Sequence, residues 1–142
     1  MVRLASEDTL KDRREVTVAL KNKTTKACTL DGYASVKLLN RDDQPMTFDF
    51  RQDQDDPLFP REQVRRVRLN PGEEASFYMG FAGVNEAGKH CAQTARLQVA
   101  PPGGGTPVTI NAAIAPCGTS INLSPVHEGV LKSSKSPNHP MK

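Results

Sequence analysis

Cys28, Cys91 and Cys117 are the side chains with the most chemistry open to them. Thiols ligate metals, attack electrophiles or oxidise in pairs, and their spacing separates these uses. The sequence holds no C-x-x-C pair, so it lacks the paired knuckles of a structural zinc site. Each cysteine flanks an apolar run instead of lying within one, which is the setting of a disulfide tying loops together. Three cysteines permit three different single bridges, each leaving one thiol over. Cys91–Cys117 is the favoured pairing, with Cys28 left over. Cys91 enters the strand candidate at 95–99, and Cys117 leaves that strand's expected hairpin partner at 108–112, so both fall at one open end. A bridge of this loop length, about 26 residues, stabilises by about 3 kcal/mol. It also points to an oxidising, extracytoplasmic compartment.

The other reactive types form no comparable constellation. His90, Cys91 and His127 with Met79 or Met141 hold the residue types of a blue-copper site. Such a site gathers Cys, His and Met on one tight loop, whereas the next histidine after either Cys91 or Cys117 is the distant His127. His90, His127 and His139 are therefore read as solvated loop residues. Asp42, Asp43, Asp49, Asp53, Asp55 and Asp56 make the densest acidic region, but Asp53–Asp56 lacks the interleaved glycine of a calcium loop and reads as solvated. No G-x-S-x-G places a serine nucleophile, and the glycines at 103–105 lack the Lys-Ser/Thr of a phosphate loop. The reading is a non-enzyme with no catalytic, cofactor-binding or metal residues. Arg61, Arg65, Arg66 and Arg68 are assigned to neutralising the neighbouring aspartates and to guarding an edge strand, not to nucleic acid.

The elements that must position these residues repeat every second residue. Val16, Val18 and Leu20 share one face, as do Ala75, Phe77, Met79 and Phe81. The same alternation runs through 35–39, 46–50, 95–99, 108–112 and 120–123, more weakly through 64–69, and Val2 and Leu4 open an edge strand. Asn40–Pro45 and Asn70-Pro71-Gly72-Glu73 are turns, and Pro101–Gly105 separates two strands. The expectation is an antiparallel β-sandwich of about eight strands with no helix. Residues 1–127 form this domain, and 128–142 are a flexible tail. With 142 residues, aromatics at 5% and no Trp, its one core is lean and aliphatic. No apolar run is long enough to cross a membrane as a helix, and no leader is visible after Met1.

The run Asn22-Lys23-Thr24-Thr25-Lys26-Ala27-Cys28-Thr29-Leu30-Asp31-Gly32-Tyr33, then Leu69-Asn70-Pro71-Gly72-Glu73-Glu74-Ala75, Cys91, Leu97-Gln98-Val99 and Ala115-Pro116-Cys117 resembles a bacterial, mainly actinobacterial, secreted or lipoprotein domain of unknown function. The resemblance covers roughly residues 15–126, and its most specific part is the C-T-L-x-G-Y motif at 28–33. Ala34 stands where the family usually has Pro, and the cysteine expected before the first strand is missing. The resemblance implies an immunoglobulin-like sandwich, a secreted, periplasmic or cell-surface location, and a partner for Cys28 upstream of Met1 together with a leader or lipid anchor. Read from its residues alone, 22–33 is a structural corner. The function expected is a binding or envelope-associated module for an unidentified protein or envelope ligand, presented on loops 40–45, 51–63, 82–94 and 101–106. The alternatives are a small metal-binding protein using the acidic loop or the His/Cys groups, and a structural subunit pairing through an edge strand.

Overall fold

Alternating apolar residues put one face of each strand out of water, and the fold follows from stacking those faces. The computed structural model describes residues 2–10, 12–52 and 55–130. In chain order the strands are β1 (Val2–Leu10), β2 (Arg13–Lys21), β3 (Cys28–Asp31), β4 (Ser35–Leu39), β5 (Pro45–Met46), β6 (Asp49–Arg51), β7 (Arg66–Leu69), β8 (Glu74–Ala82), β9 (Arg96–Ala100), β10 (Val108–Asn111), β11 (Cys117–Leu123) and β12 (His127–Glu128). Among the described residues there is no helix.

The largest sheet runs β1-β2-β8-β11-β6, with β12 adding to β8, and a second runs β10-β9-β4-β5. β3 and β7 form a separate pair. One apolar cluster takes side chains from all three: Val16, Val18, Phe77, Met79 and Ile121 from the first, Val36, Leu38, Leu97 and Val99 from the second, Leu30, Val67 and Leu69 from the third. The alternation read from β2, β8 and the β9–β10 hairpin is the alternation that enters this core.

Three expectations need correction. Among the described residues there are twelve strands instead of about eight. The surplus is mostly short pieces, of which β5 and β12 have two residues and β6 three. The pairing is not wholly antiparallel, because β6 lies parallel to β11 with Phe50 opposite Ile121. Residues 45–51 are not one hairpin strand: Pro45 and Met46 pair with β4, then the chain crosses to the edge of the first sheet. Pro45, which has no N–H, stands at the first residue of β5, a position where a strand tolerates proline, and the pairing with β4 runs only to Met46. Of the expected tail, Glu128 pairs with Ala75, while residues 131–142 lie outside the described residues.

β8 is buried on both faces. Ala75, Phe77, Met79 and Phe81 meet the core, and Tyr78 packs with Leu58 and Phe59 in a second cluster. The segment 51–63, expected as a polar loop, is thus partly a cover over the outer face of the first sheet. Asp56 and Phe59 close it with reciprocal backbone hydrogen bonds of 3.0 and 3.2 Å. Leu58 and Phe59 are the two apolar residues that a mostly polar stretch hides.

Candidate functional site

Cys91 and Cys117 are joined in a disulfide, with Cα atoms 5.4 Å apart, and Cys28 is a free, half-buried thiol. Cys117 starts β11 opposite Ala82, so the bond ties the loop after β8 to the start of β11. Thr94 reinforces this end: its hydroxyl donates to the Ala112 carbonyl (2.7 Å) and accepts from the Ile114 N–H (3.2 Å). With Cys91 oxidised, the His90, Cys91 and His127 set cannot act as a thiolate metal site. Among the described residues, no three His, Cys, Asp or Glu side chains converge to hold a metal.

The acidic region disperses as the chain folds. Asp43 pairs with Arg96 (2.9 Å), Asp49 with Arg51 (3.4 Å), and Asp55 accepts from the Arg61 backbone N–H (2.7 Å). Asp42 lies in the exposed turn, and Asp53 is outside the described residues. Asp56 overturns the solvated reading, because its side chain is 0% exposed. Its Oδ2 accepts from Arg13 Nη2 and from Asn122 Nδ2 (2.9 Å), and its Oδ1 accepts from the Leu58 N–H (2.9 Å). These three groups are donors, which the acceptor oxygens of a buried carboxyl need. Gly80 lies directly beneath it: a Cβ there would stand 2.1 Å from Asp56 Oδ2, so glycine is what lets the carboxylate rest on the sheet. Arg13 of β2 is a cation paired with Asp56. Of the arginines at 61–68, Arg66 pairs loosely with Asp31 (3.7 Å).

His127 is also misread as a solvated loop residue, since it lies in β12 with its side chain 17% exposed. Its ring packs against Tyr78 at a tilt of 48° with centroids 4.8 Å apart, its Nε2 is 3.0 Å from Ser76 Oγ, and its Nδ1 is 3.4 Å from Glu62 Oε2. Serine, histidine and carboxylate in line invite a hydrolase reading. Two facts oppose it. Ser76 is 0% exposed, and its hydroxyl already donates to the Gly129 carbonyl at 2.7 Å. The group binds β12 to the sheet and offers substrate no nucleophile.

The corner read from residues 22–33 is built on Asn22. Its amide donates to the carbonyls of Lys26 (2.9 Å) and Leu69 (3.0 Å), and its Oδ1 accepts from the N–H (3.0 Å) and hydroxyl (2.7 Å) of Thr24. The Asn22 backbone is bonded to the turn after β7, through Glu73 O and the N–H of Gly72, whose φ of 85° suits glycine. Beside this knot opens a cleft of about 260 Å³. Val2, Leu20, Leu30, Leu69, Val99 and Val108 line it, Cys28 joins its wall, and Lys21 and Lys23 stand among its polar residues. Val2, Leu20, Leu69, Val99 and Val108 were read from the sequence as strand residues, whereas Cys28 and Leu30 were read as part of a corner and lie in β3; no local pattern shows that these strands leave a gap between them.

Clipping this end, Arg3 of β1 reaches across β2 and donates from Nε and Nη2 to the two oxygens of Glu74, both at 3.1 Å. These hydrogen bonds hold the Glu74 carboxyl below its ordinary range and push the Arg3 guanidinium up.

No curated protein and no solved structure matches the chain. The family model described as Domain of unknown function (DUF4232) matches residues 1–127. That span takes in β1 to β11, the disulfide, the Asn22 corner and the Cys28 cleft, and it closes on His127. The chain belongs to the DUF4232 family of domains of unknown function.

Proposed function

We propose that this protein is a non-catalytic, extracytoplasmic binding module, an immunoglobulin-like sandwich that takes a small envelope-derived amphiphile in the cleft beside Cys28. The cleft carries the reading. Its wall is aliphatic, and at about 260 Å³ it lies just under the usual size of small-molecule sites, suiting a short acyl chain or a single ring. Lys23 at the rim supplies a positive charge for an anionic head group. The Cys91–Cys117 bond supports the compartment, because such bonds persist where thiols are not kept reduced. The engaged hydroxyl of Ser76 supports the non-catalytic part.

Octanoate is the probe, and Cys28 is the reporter, since it shares the cleft wall. Saturable octanoate binding that slows alkylation of Cys28, weakens in Lys23→Glu and disappears in Val108→Glu is the expected result. Alkylation that proceeds at one rate at every octanoate concentration overturns the proposal.

A further inference from the structure

We infer that His127 Nδ1 and Glu62 Oε2 are two ligands of a divalent metal ion of the zinc class. The inference rests on two buried acceptors that face each other. Ser76 Oγ lies 2.7 Å from the Gly129 carbonyl, which only accepts, so the hydroxyl proton goes there. The same oxygen lies 3.0 Å from His127 Nε2, and that contact then needs the ring proton on Nε2. This tautomer leaves Nδ1 with a bare lone pair. Across from it, 3.4 Å away, is Glu62 Oε2. Among the described residues neither atom has a hydrogen-bond partner, and neither is open to water. Buried atoms of this kind call for a partner, and two acceptors can share only a donor or a cation.

The separation chooses between these. A water donating to both atoms, about 2.8 Å from each, would hold them about 4.4 Å apart. A tetrahedral Zn²⁺, with nitrogen and oxygen ligands at about 2.0–2.2 Å, holds adjacent ligands about 3.4 Å apart. The observed 3.4 Å is the metal's spacing. The surroundings suit a ligating histidine as well. Its Nε2–H is anchored on Ser76, as a metal-bound imidazole anchors its other nitrogen. The pairing of His127 with Ser76 across β12 and β8, and the tilted contact with Tyr78, hold the ring in place. Imidazole with carboxylate suits zinc and its first-row neighbours, whereas calcium and magnesium take oxygen.

Among the described residues no group of three such side chains forms, so water takes the remaining positions and the ion is exchangeable. A pocket of about 340 Å³, lined by Glu62, Tyr78, His127 and Glu128, gives room for that water. Glu128 adds a favourable charge, and Arg65 and Arg66 on the same wall oppose it. Both arginines are exposed, so solvent screens their share. An ion here ties the segment 51–63 to β12.

Long-range proton–nitrogen NMR spectra of the imidazole rings, recorded on the native protein during titration with zinc chloride, test the inference. Zinc is expected to move the His127 Nδ1 resonance along a single-site saturation curve while Nε2 keeps its proton. Glu62→Gln is expected to weaken the affinity read from that resonance at least about tenfold, the loss that changing a ligand's hydrogen-bond partner already causes. His127 resonances that stay still in millimolar zinc, whether or not those of His90 move, overturn the inference. So do a shift at Nε2 in place of Nδ1 and an equal affinity in Glu62→Gln.

Discussion

Replacing Asp56 by Asn keeps the size and removes the charge. Three donors meet Asp56: Arg13 Nη2 and Asn122 Nδ2 on one oxygen, the Leu58 N–H on the other. An amide has one oxygen to offer. With that oxygen toward Arg13 and Asn122, its NH₂ faces the Leu58 N–H, and the opposite flip strands both side-chain donors. The better flip still leaves a buried N–H unsatisfied and Arg13 without its counter-ion, a loss of about 2–3 kcal/mol. Asp56→Ala removes both acceptor oxygens and the three hydrogen bonds they take, and leaves Arg13, 28% exposed, without this charge, costing about 3–5 kcal/mol. Either change loosens the cover that Leu58 and Phe59 make over Tyr78.

Gly80 provides the control. Gly80→Ala pushes its Cβ into the space of Asp56 Oδ2, 2.1 Å away, so Asp56 must leave its donors. Overpacking and the lost bonds together cost about 2–4 kcal/mol. In an Asp56→Ala background that obstacle is gone, and alanine, better suited than glycine to a strand, costs about zero or less. The cycle therefore shows a coupling of about 2 kcal/mol or more. Urea unfolding followed by tyrosine emission measures it, since the chain has no Trp and Tyr78 lies in the affected cluster. Additive costs for Gly80→Ala and Asp56→Ala, or an Asp56→Asn protein within about 0.5 kcal/mol of native, refute the argument.

Other expected outcomes follow from the same contacts. Alkylation without reductant labels Cys28 and spares Cys91 and Cys117, and the double variant Cys91→Ser/Cys117→Ser loses about 3 kcal/mol in urea unfolding. Asn22→Ala leaves the carbonyls of Lys26 and Leu69 without their amide donor and lowers stability by about 1–3 kcal/mol, read from the urea midpoint. Glu74 is held below its ordinary range by the Arg3 hydrogen bonds, so its contribution is present at neutral pH and is lost as pH falls through and below the usual carboxylate range. Because the pair is exposed, that contribution is below about 1 kcal/mol, and Glu74→Gln flattens the acid limb of a stability–pH curve by that amount.

The alternation of β2, β8 and β9–β10 was legible because each residue's neighbours two positions away share its face. What sequence reasoning missed on β8 is the use of its second face. Ser76, Tyr78 and Gly80 read as outward residues until a cover from 55–59 arrives, and Asp-Pro-Leu-Phe-Pro at 56–60 has the composition of a loop. The bond that holds the cover joins residues 43 apart, a separation no local pattern encodes. His127 belongs to a two-residue strand, too short for periodicity to register. Asn22 was legible as part of a corner, but its bond to Leu69 spans 47 positions and needed the fold.

The cleft and the disulfide occupy opposite ends of β8. Cys117 lies across from Ala82 at one end, while Lys21, which joins the cleft lining, lies across from Glu74 at the other. Nine residues of strand separate these points, about 25 Å at the usual rise. Between them the outer face of the sheet carries Leu58, Phe59 and the Asp56 network, none of which lines the cleft. Sites this far apart with no shared partner act independently. The disulfide should therefore matter to binding only through the amount of folded protein. Octanoate affinity per folded molecule is expected to agree within about twofold between the native protein and Cys91→Ser/Cys117→Ser. A tenfold change, with the variant shown folded by the exchange protection of β2 and β8, would mean that the sheet transmits strain along its length and that the cleft is not a local site.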